Sequence, residues 1–328
     1  MDVKDYALKG CRKVYRRLMR PVYPLPDCEM DRQRANNLIL DRLSSDQPCM
    51  ISRFGTGEIG ILVNYLAAHS DRNIVNRIWR YISANEGLPW WDKLVYKSMR
   101  LNAGIFPESV DTLNRFSERY LRDIPEIDLL GSFNATERLM PLRTDVDYVH
   151  LECLYPFFVD RPWTKALTGK RVLVIHPFVE TIRSQHEQHS LLFDNPDIYP
   201  DYYLLTLRAV QSNAGAMTSF RDWFEALKWM ESEIGKLDFD FAIIGCGAYG
   251  LPLAAHIKRL GKKAIHLGGG SQLLFGIKGK RWDDDGYHWP NLPQLNTNYS
   301  SLYNKFWVRP NTSETPAAAT KVEGACYW

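Results

Sequence analysis

An α/β fold with a largely parallel, Rossmann-like sheet flanked by helices is predicted by three features of this sequence. From Arg171 onward, short apolar runs rich in Val, Ile, Leu and Phe alternate with helical stretches. The apolar run 239–244 passes directly into Gly245-Cys246-Gly247-Ala248-Tyr249-Gly250, and a second strand, glycine turn and helix unit lies at 49–68. Alternation of this kind makes a parallel sheet, because each parallel pairing needs a crossover, usually a helix.

The elements follow in order. Residues 1–20 hold seven Lys or Arg against two Asp. Val3, Ala7, Cys11, Val14 and Leu18 recur there at helical spacing, with Lys9, Arg12, Lys13, Arg16, Arg17 and Arg20 around much of the remaining circumference. That is a basic amphipathic helix, which either lies on an anionic membrane or docks on its own domain. After the Pro-rich break at 21–26, residues 31–43 read as a helix and 49–53 as a strand. The turn Gly55-Thr56-Gly57-Glu58 then opens a nearly continuous apolar helix to residue 68. Residues 72–123 read as mainly helical, with breaks at Gly87-Leu88-Pro89 and Gly104-Ile105-Phe106-Pro107. Strands are expected at 127–130 and 148–151. Strands at 172–175, 203–207, 239–244 and 263–267 then alternate with helices at 179–192, 219–234 and 251–260. The division expected is a basic extension, 1–27, and a single α/β domain, 28–328, with a mainly helical insertion in its N-terminal half and a loosely held tail at 311–324.

Totals exclude several classes. The 328 residues, 45% apolar and 24% charged, are enough for an ordinary globular core. Six widely spaced cysteines with no CxxC pair argue against a zinc ribbon or a disulfide scaffold. A net charge of +3 is too small to imply nucleic-acid binding. No stretch approaches the roughly 18 apolar residues of a membrane span, and residues 1–20 lack a secretory apolar core, so a cytoplasmic chain is expected, with peripheral membrane contact through residues 1–20 as a secondary reading.

Chemistry is expected at the strand ends. The 245–250 turn fits G-x-G-x-x-G between a strand and a helix, where glycines let the backbone approach a phosphate and the helix N-terminus attracts it. The other reading is tight strand–helix packing. A dinucleotide site would place Asp or Glu about 20 residues on, to hold the ribose. This chain has Ile265, His266 and Leu267 there, followed by a second glycine loop, Gly268-Gly269-Gly270, and the basic loop Lys278-Gly279-Lys280-Arg281. Ligands of open parallel sheets bind beyond the carboxyl ends of the strands, so these loops are expected to share a crevice with His176, Glu180 and Arg183 after the 172–175 strand. Tyr249 and other aromatics flank it. Arg53 and Glu58 bracket the first glycine turn, and Glu58 is the leading catalytic residue, as base or metal ligand, with Glu180 next. The pairs His186/His189 and Asp283-Asp284-Asp285 resemble metal sites, but a solvated helix face and an acidic turn explain them as well.

Taken together, Arg53-Phe54-Gly55-x-Gly57-Glu58, Val174-Ile175-His176-Pro177-Phe178-x-Glu180-x-Ile182, Gly245-x-Gly247-Ala248-Tyr249-Gly250-Leu251-Pro252, and His266-Leu267-Gly268-Gly269 leading to Leu274-Phe275-Gly276-Ile277-Lys278-Gly279-Lys280-Arg281-Trp282 resemble the glycosyltransferase-D fold family. The likeness runs from about residue 30 to Trp307-Val308-Arg309-Pro310 and Val322-Glu323-Gly324. It implies a transferase that moves a sugar from a nucleoside diphosphate, with a UDP-sugar favoured, to a glycan or glycoconjugate acceptor in surface polysaccharide or glycoprotein assembly. It also implies Mn2+ or Mg2+ held by Asp-x-Glu in the first glycine turn. Here the Asp position is Thr56 and only Glu58 remains, so metal dependence stays open. The implied donor-binding residues are Gly55, Thr56, Gly57, His176, Arg183, Gly245, Gly247, Tyr249, Gly250, Gly268, Gly269, Gly270, Lys278, Lys280 and Arg281. The alternatives are an NAD-type oxidoreductase and a non-catalytic nucleotide-sugar-binding protein.

Overall fold

Strand residues of alternating parity face opposite sides of one sheet, and the burial shows both sides covered. Met50, Leu130, Leu173, Ile175, Ala242, Ile244 and Ala264 enter one apolar cluster. Their strand neighbours Cys49, Ile51, Leu129, Val172, Val174, Ile243 and Ile265 enter the other. This two-faced burial explains why the strands read as apolar runs rather than as alternating ones.

The computed structural model describes residues 3–101, 103–213, 216, 218–283, 289, 292–316, 319–321 and 324–328. Seven strands form a single parallel sheet in the order β3-β2-β1-β7-β6-β4-β5. They are β1 (Cys49–Arg53), β2 (Leu129–Ser132), β3 (Asp147–His150), β4 (Arg171–His176), β5 (Tyr203–Arg208), β6 (Phe241–Ile244) and β7 (Lys263–His266). The helices are α1 (Val3–Met19), α2 (Arg32–Ser44), α3 (Thr56–Ala68), α4 (Ile74–Ser83), α5 (Lys93–Leu101), α6 (Val110–Asp123), α7 (Val179–His186), α8 (Trp223–Ile234) and α9 (Gly250–Arg259). The expected fold class is therefore observed, and the breaks foreseen near Gly87 and Gly104 separate α4, α5 and α6. The helix expected over 179–192 stops at His186, and a short 3-10 turn covers His189–Leu191.

Helices α3, α6, α8 and α9 pack on the first face. Helices α2 and α7 and the irregular segments after β3 and β7 cover the second. Chain direction reverses in the middle of the sheet: β4 leads outward to β5, whereas β6 leads inward to β7. Loops leaving β4 and β6 thus part to opposite faces and open a crevice at their carboxyl ends.

Helix starts divide into two groups. Asp31, Asn73, Ser109 and Asp222 cap α2, α4, α6 and α8 through their side chains. The N-cap residues of α3, α7 and α9 make no such bond. These three helices follow β1, β4 and β6, so the starts without a local N-cap side chain lie at the crevice end of the sheet, where groups from elsewhere meet their first N–H groups.

Within the stretch 311–324 expected to be loose, Glu314 is buried. Its carboxylate accepts the N–H groups of Glu180 (2.7 Å) and Thr181 (3.2 Å) and the Thr181 hydroxyl. The start of α7 is therefore closed by a carboxylate from the far end of the chain. Residues 317, 318, 322 and 323 of that stretch, including Val322 and Glu323 of the family-like motif, lie outside the described residues.

Candidate active site

A cavity of about 350 Å³ opens where β1, β7, β6 and β4 end, a volume in the range of ligand sites. Each strand end contributes in turn. From β1 come Arg53, Gly55, Thr56, Gly57 and Glu58; from β4, His176. Gly245, Gly247 and Tyr249 follow β6, and His266, Gly268 and Gly269 follow β7. Arg281 reaches the same space. Strand order explains the meeting, because β1 lies beside β7 although they are far apart in sequence.

The three glycines of the 245–250 turn do different work. A Cβ on Gly245 would overlap the Ser271 hydroxyl and stand 2.6 Å from His176 Cδ2, and one on Gly250 would run into the His266 ring. Those two glycines serve close packing. Gly247 has φ +57° and open space where its Cβ would be, so its backbone faces the cavity. One glycine of the three is thus free to face a ligand.

Arg53 is the most telling side chain. Among the described residues it has no ion pair, and its buried Nε has no hydrogen-bond partner. Its guanidinium lies 5.2 Å from the Phe133 ring and crowds Gly268, where a Cβ would come within 2.9 Å of Nη1. Gln272 Oε1 and Asn213 Oδ1, also on lining residues, are buried without a partner. Gln272 spends its amide hydrogens on the carbonyls of Ile277 and Tyr327, which leaves the oxygen as an acceptor. An unneutralised cation and two orphan acceptors on one cavity call for a ligand that carries both anionic and hydroxyl groups.

The histidines are neutral. Burial pushes the His176 imidazole down to about 3, and its Nδ1 accepts the Phe178 N–H at 3.0 Å, so the remaining ring hydrogen is on Nε2 and can be donated. His266 is pushed down to about 3 by burial and then by the Arg53 charge. Its Nδ1 lies 3.1 Å from the Ser52 hydroxyl. It occupies the region where a dinucleotide fold carries its ribose-binding acid.

Glu58 borders the cavity, and its half-buried side chain folds back so that the carboxyl lies over Gly55. Burial holds it above the usual carboxylate range, opposed by a bond from its own N–H and by Arg53. The side chain therefore also caps its own helix. Because its folded pKa is raised, its contribution to stability is present below about 4.5 and is lost as pH rises through the folded value. Glu58→Gln keeps the neutral form at every pH. Thermal melts from pH 4 to 8 are expected to show Glu58→Gln melting above the parent at neutral pH, with the gap closing on acidification; a gap that does not change with pH contradicts the desolvated carboxylate.

The remaining candidates divide. Lys278 and Lys280 are not in the lining: the Lys278 ammonium lies 5.1 Å from the Tyr303 ring centre, and Lys280 is exposed. Arg281 stacks on Tyr327 at 4.9 Å and donates to its hydroxyl at 3.3 Å. Gly270 packs under Tyr155. Glu180 and Arg183 are exposed and stay outside the lining, because Glu314 occupies the start of α7 and turns their side chains to the β5 edge. There Glu180 pairs with Arg208 at 2.9 Å, and Arg183 donates to the Thr206 hydroxyl at 2.6 Å. His186 meets the Tyr199 hydroxyl and His189 meets Asp201. Asp283 pairs with Arg309; Asp284 and Asp285 lie outside the described residues.

A resident divalent cation fits this donor set poorly. Among the described residues no group of three His, Cys, Asp or Glu gathers anywhere. Glu58 is the one carboxylate side chain among the described lining residues, and it shares the cavity with two guanidinium groups and the Thr56 hydroxyl. Hard cations take six or more oxygen ligands, usually several of them charged.

Sequence reasoning missed Gln272, Asn213, Ser212 and Tyr327. Gln272 had a signal, as the polar residue heading the apolar run Leu273-Leu274-Phe275 after a glycine turn. Ser212 and Asn213 follow β5, and the rule that ligands gather beyond strand ends reaches them too. Tyr249 stacks on Trp223 at 4.9 Å and contacts the Ser212 hydroxyl at 3.1 Å, so it anchors that loop. Compared with protein-family models, curated proteins and solved structures, the chain finds no match.

Proposed function

We propose that this cavity binds a nucleoside-diphosphate sugar, with a UDP-sugar favoured, and that the chain transfers the sugar to a glycan or glycoconjugate acceptor. The observation that carries the reading is Arg53: a half-buried cation that pairs with no anion among the described residues, its Nε buried and unsatisfied, at the glycine turn that opens α3. The motif resemblance to the glycosyltransferase-D family supports the same reading.

In this account the diphosphate lies between Arg53, Arg281 and the Gly247 turn, with the His176 Nε2–H as a further donor. Asn213 and Gln272 accept from ligand hydroxyls. The acceptor oxygen attacks the anomeric carbon, its proton passes to Glu58, and the bond to the diphosphate breaks. The negative charge left on the diphosphate is met by the two guanidinium groups, in place of a divalent cation. A carboxyl raised towards the working pH is well matched to taking that proton. The chain would work in the cytoplasm, at the inner face of a membrane that it contacts through residues 1–20.

Titration calorimetry against UDP, GDP, several UDP-sugars and NAD tests the ligand class. Uridine diphosphates are expected to bind, and NAD, whose ribose-binding acid is missing from this site, is not. Tight NAD binding with none by any nucleoside diphosphate would overturn the reading. Binding without turnover over a panel of acceptors would leave a nucleotide-sugar-binding protein.

A further inference from the structure

Helix α1 does dock on its own domain, but with the face opposite to the expected one. Asp5 accepts from Trp90 Nε1 at 2.8 Å, Lys9 pairs with Asp92 at 2.8 Å, and Arg12 and Arg16 both donate to Asn85 Oδ1. Asp5, Lys9, Arg12 and Arg16 share one side of the helix. The apolar stripe Val3, Ala7, Cys11, Val14 and Leu18 spans about 80° of the other, at ~100° per residue. All five are exposed, Val3 at 87% and Leu18 at 74%. Burying a polar face and exposing an apolar one is the reverse of what an ordinary surface helix does.

The stripe has company. Tyr15 of α1 meets Trp79 of α4 edge-on at 5.8 Å, and α4 exposes Trp79 together with Ile74 and Val75. Arg17 flanks the stripe on one side by helical spacing; Lys4 lies on the other, with its ammonium 4.4 Å from the Trp90 ring centre. Exposed apolar residues, an interfacial tryptophan and flanking cations fit the surface of an anionic bilayer.

Behind α1 lies a second cavity, of about 600 Å³, between α1 and α3. Lys9, Arg12, Lys13 and Arg16 line it, and Thr56 borders both this cavity and the first. Its two carboxylates are already engaged: Asp92 with Lys9, and Glu86 with Arg72 and Arg80. Arg12 and Arg16 share the neutral Asn85 oxygen and lie over the Tyr81 and Tyr23 rings, Arg12 Nε is buried without a hydrogen-bond partner, and neither guanidinium pairs with a carboxylate among the described residues. Four cations with so few carboxylates suit a phosphate group, and the cavity adjoins the proposed sugar-transfer site at Thr56, the start of α3.

We propose that α1 and α4 seat the chain on an anionic membrane and that the basic cavity behind α1 takes the phosphate head of an amphiphile from that membrane, presenting it as the acceptor. The acceptor role rests on the glycosyl-transfer reading; the lipid site does not. Sedimentation with vesicles of phosphatidylcholine alone, and with phosphatidylglycerol or phosphatidic acid added, separates the two. The parent chain is expected to pellet with the anionic vesicles and to favour phosphatidic acid. Val14→Glu with Leu18→Glu, both on exposed positions, is expected to cut pelleting by about tenfold or more. Arg16→Gln is expected to remove the preference for phosphatidic acid. UDP binding by all variants should match the parent, which keeps this test independent of the donor site. Pelleting no better than with phosphatidylcholine, or equal pelleting by the glutamate variant, overturns the proposal. So does release from phosphatidic acid vesicles by inorganic phosphate at unchanged ionic strength, which would mark a site for the free anion.

Discussion

Arg53→Gln is expected to weaken nucleoside-diphosphate binding by roughly 30- to 1,000-fold, the loss of about 2 to 4 kcal/mol that follows when one member of a buried charge-assisted contact is removed. The same substitution is expected to leave the thermal midpoint almost unchanged. Among the described residues Arg53 has no ion pair, its Nε is unsatisfied, and its packing on Phe133 at 5.2 Å is worth only about 0.5 to 1 kcal/mol. Only the buried, unsatisfied Nε of this half-exposed side chain costs the fold, and the variant removes it. A binding defect with intact stability is the signature of a residue kept for its ligand. If Arg53→Gln instead unfolds the chain, or binds UDP as the parent does, Arg53 is structural. Titration and melting of the one variant decide it.

The second large effect is on folding, and it divides the glycine turn. Gly245→Ala and Gly250→Ala are each expected to destabilise by about 1 to 3 kcal/mol or more, the range for overpacking a filled interior. Gly245 is the worse placed: its new methyl would overlap Ser271 and press at 3.0 Å on the Gly268 carbonyl, which is backbone and cannot rotate away. For Gly250 the obstacle is the buried His266 ring, held through Nδ1 by Ser52. Gly247→Ala meets nothing within 4 Å and incurs only the roughly 1 to 2 kcal/mol of a left-handed alanine. Its methyl would project into the cavity, so its main expected effect is weaker ligand binding. Denaturant melts of the three variants beside UDP titrations test this division; equal destabilisation by all three would contradict it.

That division shows where sequence reasoning reaches and where it stops. The turn was visible because glycines after an apolar strand are a local pattern. Which glycine packs and which faces ligand depends on Ser271, His176 and His266, brought in by neighbouring strands. Strand periodicity found all seven strands to within a few residues, because burial on both faces leaves long apolar runs. The order β3-β2-β1-β7-β6-β4-β5 is a non-local property, and it alone brings Arg53 against Gly268.

The outward candidates show the same limit. Lys278, Lys280, Glu180 and Arg183 lie beside cavity residues in sequence, yet their side chains point elsewhere. For α7 the cause is Glu314, whose carboxylate fills the anion site at the helix start, and nothing local to α7 announces it. In α1 the periodicity identified the apolar stripe correctly. Only the docking contacts of Asp5, Lys9, Arg12 and Arg16 reveal that the stripe faces outward.

An anion is expected to complete the site between Arg53 and the Gly247 turn. Determining the structure of the chain bound to UDP tests it most directly. The diphosphate is expected within hydrogen-bonding distance of the Arg53 guanidinium and over the backbone of Gly247, about 3 Å from the donors. Phosphates found away from both, with Arg53 still unpaired, would contradict it.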